Sequence, residues 1–490
     1  MKHSPLLLSL ALVACTADPP PATPDPAPAV VSAPASAAAA SQAPALISVK
    51  GKGAPRAHLP RGALGPEGPL TYRSTSAEIY LGNLKARGEV LVERQAKFPD
   101  EPALRANLAG WHQEAALFDG DLDHALKGLE LLDGAVALKP SDPKLLRQRA
   151  GLRSHLHRFA EAKADLEAAL RLQPGDVDTQ RALGGVLRNL GDWQAAEPLL
   201  ALPLVREKNF QDYGDEAIRA FQAGKIEEAD HLLRLSAGSY KDVHPVPLAW
   251  VDLQRGLLRL RTGRYPEARV FFKAAYDRIP QHFTVAEHLA EVESLLGNHT
   301  ESLRIYDEVV AATHLPEFMA KRAGELEALG RKAEAEAALT EADARWRVLL
   351  ARHETALAAH AISFWLDELP NPAQALMLAD KNLLVRRDPD SVVRAARAHA
   401  AAGDVAGTRA LVAEARRFPV RIDEFFAGIA DALNLIGDQA GAQAALAEAR
   451  VLNPLTADLD PPPARPAQPV SGLAVPAPPS AGQPPSAAQE

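Results

Sequence analysis

Residues 249–282 read AWVDLQRGLLRLRTGRYPEARVFFKAAYDRIPQH, and this stretch decides the fold. Leu253, Leu257 and Leu260 in its first half, and Ala268, Phe272 and Ala275 in its second, recur at spacings of three and four. Those spacings put them on one side of a helix. Gly263 between the halves supplies a left-handed turn at no Cβ cost. Pro280 stops the second half, because it has no N–H and its ring clashes with the preceding turn. The unit is a helix, a turn, a second helix and a stop.

The turn signal recurs along the chain as Gly or another turn residue followed five positions later by a small residue. The pairs are Gly120/Ala125, His157/Ala162, Gly191/Ala196, Gly224/Ala229, Gly263/Ala268, Gly297/Ser302, Gly330/Ala335, Pro370/Ala375, Gly403/Thr408 and Gly437/Ala442. Successive marks lie 37, 34, 33, 39, 34, 33, 40, 33 and 34 residues apart. A period near 34 is that of a helix-turn-helix repeat whose hairpins bury a core only by stacking on their neighbours. The wider gaps before Gly263 and Pro370 imply inserted turns or longer helices, and Leu339 to Leu366, which holds no breaker, reads as one long helix or a helix pair. Residues 74–97 read as a helical cap ahead of the first mark.

In 143–176, Ala150, Ala162, Leu166, Ala169 and Pro174 repeat the positions of Gly256, Ala268, Phe272, Ala275 and Pro280, and in 423–456 Ala430, Ala442, Leu446, Ala449 and Pro454 do so again, with Leu433 at the position of Arg259. At these residues the array resembles the tetratricopeptide repeat family. The resemblance implies an all-α, right-handed superhelical solenoid over residues 71–455, with about ten repeats and a concave groove lined by the first helix of each.

The flanks differ in kind. Cys15 is the chain's only cysteine, so no disulfide can form within it. It follows a charged start at Lys2 and the apolar run Leu6 to Ala11, too short to span a bilayer and of signal-peptide proportions. Leu12-Val13-Ala14-Cys15 resembles the bacterial lipobox, which implies a leader over 1–14 and a lipid on Cys15. Thr16 in the next position implies export to the outer membrane rather than retention at the inner one. Residues 15–70 read as a tether, first of Pro, Ala, Ser and Thr and then with basic Lys50, Lys52, Arg56 and Arg61; its composition cannot offset the entropy of ordering. Residues 456–490, with ten prolines, read as a second disordered tail.

A net charge of -8 and a pI near 6.0 argue against a main role in neutralising nucleic-acid phosphates. Phosphate-loop, dinucleotide, nucleophile-elbow and zinc-protease patterns do not occur. His353-Glu354 lacks its second histidine, and His155 and His157, two apart on a helix, diverge. With no cysteine in the body, thiolate sites are excluded. The expectation is a non-enzyme without cofactor or metal.

The family pattern implies groove positions at Lys144, Arg147, His155, Arg181, Arg188 and Asn189, a basic segment for an acidic or carboxylate-bearing peptide. Trp250, Leu253, Leu257 and Leu260 follow as an apolar segment. Gly151 and Gly185 stand where the family's carboxylate clamp uses asparagine. The expected function is a membrane-anchored scaffold or adaptor that binds other envelope proteins or peptides, facing the periplasm or the surface; the alternative is a non-catalytic accessory subunit of an envelope enzyme or transport system. The expected partners are a protein or peptide and, through the anchor, a membrane, with no nucleic acid and no small-molecule substrate.

Overall fold

The computed structural model describes residues 67–204 and 206–460 of the chain. The leader at 1–14, Cys15, the tether up to residue 66 and the tail from residue 461 lie outside the described residues. Among the described residues there are twenty α-helices and no strand, and no helix is long and apolar enough to cross a membrane.

Helix α1 (Ala77–Lys97) precedes ten hairpins. They pair α2 (Pro102–Asp119) with α3 (Leu122–Leu138), α4 (Pro143–His155) with α5 (Phe159–Leu172), and α6 (Val177–Asn189) with α7 (Trp193–Leu200). Next come α8 (Phe210–Gln222) with α9 (Ile226–Ser239), α10 (Pro245–Leu260) with α11 (Tyr265–Arg278), and α12 (Phe283–Leu295) with α13 (His299–Thr313). Helix α14 (Pro316–Ala328) pairs with the first part of α15 (Lys332–Ser363), whose second part pairs with α16 (Pro372–Val385). The last two are α17 (Pro389–Ala401) with α18 (Val405–Ala415) and α19 (Asp423–Leu435) with α20 (Gln439–Leu452).

Local chemistry sets these boundaries. Asp142, Asp176, Asn209, Asp388 and Asp404 accept hydrogen bonds from free N–H groups at helix starts. Eight of the ten turn marks are glycines at positive φ, and His157 takes the same left-handed geometry at φ 56°. The small residue five positions after each mark is buried in all ten hairpins. There the two helices of a hairpin cross, and a larger side chain would hold them apart. Pro140, Pro174, Pro280 and Pro454 each follow two residues after a second helix ends.

The breaker-free stretch is both things that the sequence allowed. Helix α15 runs on from one hairpin into the next, kinked at His353 (φ −134°, ψ 35°), and a π-helical turn at Phe364–Glu368 stands where Pro370 replaces the turn glycine.

Several first helices of neighbouring hairpins meet one another, as α10 does α12 and α17 does α19, and no pair of successive second helices packs as closely. The first helices therefore line the inside of the curve. The chain also winds back onto itself. The turn of the first hairpin at Gly120 lies against Leu315, which leaves the sixth, and Gly191 of the third lies against Arg387, which leaves the eighth. Gly224 of the fourth meets Arg421 after the ninth, and Gly263 of the fifth meets Asn453 after the tenth. Hydrogen bonds of 2.8 Å from Arg387 N to Asn189 O and from Arg421 N to Gln222 O close two of these seams.

Candidate partner-binding face

The winding decides what becomes of the expected groove residues. Lys144 is exposed. Arg147 is spent on Asp176 at 3.1 Å, and Arg181 on the Leu202 carbonyl at 3.2 Å with Glu216 nearby. Arg188 stacks over the Trp193 ring at 3.8 Å and faces Glu197; desolvation by burial lowers its pKa to about 10. The Asn189 side chain donates to the Gly185 carbonyl, and the main-chain carbonyl of Asn189 takes the Arg387 N–H. His155 is half-buried, and burial lowers its pKa. Internal partners thus hold most of the basic segment, which does not form the free cationic patch expected for an acidic peptide.

The apolar segment is corrected outright. Leu253 and Leu257 are 2% and 0% exposed and Leu260 is also buried, all in one core cluster with Ala77 and Tyr80 of α1. Trp250 is half-buried, its ring against Phe210 and over Gly214. The physical reason is again the winding: α1 and α2 return over hairpins five and six, with Tyr80 edge-on to His244 and Phe118 edge-on to His282. A stripe that an open groove would offer to a ligand is therefore used as core.

The first helices of the later hairpins carry what the early ones lack. On α12, His288 Nδ1 lies 3.0 Å from Glu291 and 3.2 Å from Glu287. On α14, Glu317 meets His360 of α15 at 3.0 Å, and Lys321 meets Glu368 at 3.3 Å. Asp390 and Arg394 of α17 interact electrostatically with each other, and Arg394 also with Glu317. Arg261, just past α10, forms a buried ion pair with Glu424 at the start of α19. Glu287, His288, Arg261, Glu424 and Arg394 are buried, whereas Glu291, Glu317, Lys321, His360, Glu368 and Asp390 keep partial access to water. The face is a continuous band of mixed charge with an open rim.

Part of this band is marked in the sequence by the spacing of its residues from the turns. Lys144 and Trp250 stand thirteen residues before the turn marks His157 and Gly263; Glu317, Asp390 and Glu424 stand thirteen before Gly330, Gly403 and Gly437. His288, Lys321 and Arg394 each stand nine before theirs. The thirteen-residue register of the early hairpins, carried through to the later ones, marks Glu317, Asp390 and Glu424; the position nine before a mark, which holds His288, Lys321 and Arg394, was not among those the early hairpins singled out.

Desolvation by burial pushes Asp390 up to about 6, with Asp388 adding to the rise. Burial also opposes the charge on Lys321, but Glu368 and Glu291 outweigh it and raise the pKa. Glu287, Glu291 and His288 bring three possible ligand atoms within 4.8 Å of one another. His288 already lies against both carboxylates, and Arg261 and Lys321 face the same group, so mutual ion pairing accounts for the cluster without an ion.

Desolvation drives Glu287 up to about 7 from an ordinary 4.5. A carboxyl group whose folded pKa is raised contributes stability at low pH and loses it as pH rises through the folded value. Glutamine imitates the protonated acid. The Glu287→Gln chain is therefore expected to match the parent near pH 5 and to exceed it by about 1–3 kcal/mol above pH 8. Melting curves across that range check this, and a difference that stays constant with pH would contradict it.

No family model matches the chain, and no curated protein does. Among solved structures it is similar to a human IFIT1 dimer with PPP-AAAA, at 14% identity over 65% of this chain and 72% of that one, with a TM-score of 0.40. It is also similar to PilF of Pseudomonas aeruginosa, at 17% identity over 41% of this chain and 92% of that one (TM-score 0.34). YrrB, described as a TPR protein with an unusual peptide-binding site, matches at 16% identity over 46% and 93% (TM-score 0.20). The architecture rests on the chain's own geometry. Ten stacked hairpins at a period near 34, a small residue buried at every crossing and first helices turned inward make this chain an α-solenoid of the tetratricopeptide type.

Proposed function

We propose that the chain is a membrane-anchored scaffold that binds other envelope proteins or peptides along its inner face, with the lipid on Cys15 as the anchor. One observation carries the reading. The first helices of hairpins six to nine keep a band of acids and bases, Glu291, Glu317, Lys321, His360 and Asp390, on the inside of the curve. A stacked-hairpin core needs only small and apolar side chains, and partly desolvated charges are poor sources of stability. Their retention is understandable if they meet a partner, where opposed charges set specificity and speed of encounter. The lipobox-like Leu12-Val13-Ala14-Cys15 and the Pro- and Ala-rich composition that follows it support the anchored setting, because a linker of such composition lets an attached body search the space around its membrane.

The test is affinity capture from envelope extracts with the full chain and with a Lys321→Gln/Asp390→Asn double variant. The variant is expected to keep its helicity and lose captured proteins that the parent retains. Cys15→Ala is expected to move the protein out of the membrane fraction. Identical captures from parent and double variant would overturn the inner face as the binding surface, and unchanged fractionation would overturn the anchor.

A further inference from the structure

Residues 67–76 do not behave as a tether. Ahead of α1 they form no regular helix or strand, yet they lie across α9, α10 and α11. Their side chains contribute little to this docking. Thr71, Tyr72 and Arg73 are exposed, and the one fully apolar anchor is Leu70, 6% exposed in a cluster with Phe221, Leu233, Leu248 and Val251.

Their main chain, in contrast, is held at five residues, Glu67, Gly68, Leu70, Tyr72 and Thr75. Arg255 of α10 donates to the carbonyls of Glu67 and Gly68, the latter at 2.7 Å. The Leu70 N–H donates to Asp252 Oδ1 at 2.9 Å. Arg278 of α11 donates to the Leu70 carbonyl at 3.1 Å, the Tyr72 carbonyl at 3.0 Å and Ser74 Oγ at 3.0 Å. The Thr75 N–H donates to the Val243 carbonyl at 2.8 Å.

The reading groups are built in. Arg255 is 0% exposed, fixed by Asp230 at 3.0 Å and by the Phe271 ring beneath it. Asp252 is equally buried, and its Oδ2 has no hydrogen-bond partner. Charged groups buried this way cost stability that an apolar surface would not. Aimed at carbonyl and N–H groups, they recognise any extended chain that brings one leucine into the apolar slot. An open cleft of about 440 Å³ lies between the end of the segment and α11, bordered by Tyr72, Ser74, Ser76, Asp277 and Arg278.

We infer that the groove across α9, α10 and α11 is a second peptide-binding site, which reads an extended main chain around one leucine. Residues 67–76 are its occupant within the chain, and an extended leucine-bearing segment of a partner protein takes their place. The segment directly precedes α1 and continues into the residues that lead back to Cys15, so the occupancy couples partner binding to release of the anchored arm. This site is separate from the inner face, and its failure leaves the reading of that face standing.

The probe is a fluorescein-labelled synthetic peptide of residues 66–76, followed by anisotropy with the full chain. The Leu70→Ala chain, its internal occupant weakened, is expected to bind the probe at least tenfold more tightly than the parent does. Adding Arg255→Met to Leu70→Ala is expected to abolish that gain. Probe binding that is no tighter to a folded Leu70→Ala chain, or that survives loss of Arg255, overturns the site. Hydrogen exchange on the unaltered chain decides independently of any variant. Excess unlabelled peptide is expected to speed exchange at residues 70–76 while α9–α11 keep their protection. Amides in 70–76 that exchange only when those helices open would show the segment to be an inseparable part of the fold.

Discussion

Replacing Phe272 with alanine is expected to cost about 3–5 kcal/mol, the range for deleting a fully buried phenylalanine ring. Phe272 is 0% exposed on α11 and fills a space that Gly256 of α10 leaves open: a Cβ on Gly256 would lie 2.4 Å from the ring. The other side of the ring stacks on His288 of α12, centroids 5.7 Å apart and planes 19° from parallel. One side chain therefore joins the fifth hairpin to the sixth. A solenoid derives its stability from such neighbour contacts, so the loss should appear as a lower urea midpoint and as faster hydrogen exchange centred on α10–α13. Gly256→Ala alone should cost about 1–3 kcal/mol by overpacking. The alanine methyl fits in the cavity left by Phe272→Ala, so the double variant should cost less than the sum of the two, by at least about 0.5 kcal/mol. Strict additivity would mean that the two residues do not share the space assigned to them.

The same pair shows why so much of the fold was legible. Left-handed turns, helix crossings and helix stops each demand a residue type, glycine, a small side chain or proline, and a demand repeated every 34 residues shows in a single sequence. His157 is the telling exception. The period alone marked it, and it adopts the left-handed geometry without being glycine. Pro370 shows the limit, because there the period held while the turn was replaced by a kinked helix and a π-helical turn.

The candidate faces were less legible, because what covers a residue depends on how far the coil winds. Nothing in residues 250–260 announces that Ala77 and Tyr80 of α1 will join Leu253 and Leu257 in one core cluster, since four hairpins separate the two segments. Likewise Arg147 and Arg181 read as free cations until Asp176 and Glu216 are placed beside them. The segment at residues 67–76 was the least legible of all. A chain recognised through its carbonyl groups leaves almost no trace in its own side chains, and Leu70 alone is a weak signal.

Winding also sets the second large expectation. Glu424→Ala is expected to cost about 3–5 kcal/mol, since it leaves the Arg261 guanidinium buried without its main counter-charge. Arg261 sits at the end of α10 in the fifth hairpin and Glu424 at the start of α19 in the tenth, and both side chains are less than one-tenth exposed. Burial opposes the charge on Arg261, but Glu424, Glu291 and Asp423 outweigh it and keep the guanidinium ionised. Arg261→Met/Glu424→Leu should recover most of the loss, because apolar groups of similar volume need no counter-charge. Recovery should stop short of complete, since Glu291 and Asp423 lose their nearby cation. The single and double variants also separate stability from winding. If the ion pair holds the fifth hairpin against the tenth, Glu424→Ala should enlarge the radius of gyration in X-ray scattering and the double variant should restore it. A Glu424→Ala chain with unchanged melting and unchanged dimensions would mean that the coil closes without this contact, leaving the seams at Asn189 and Gln222 to hold it.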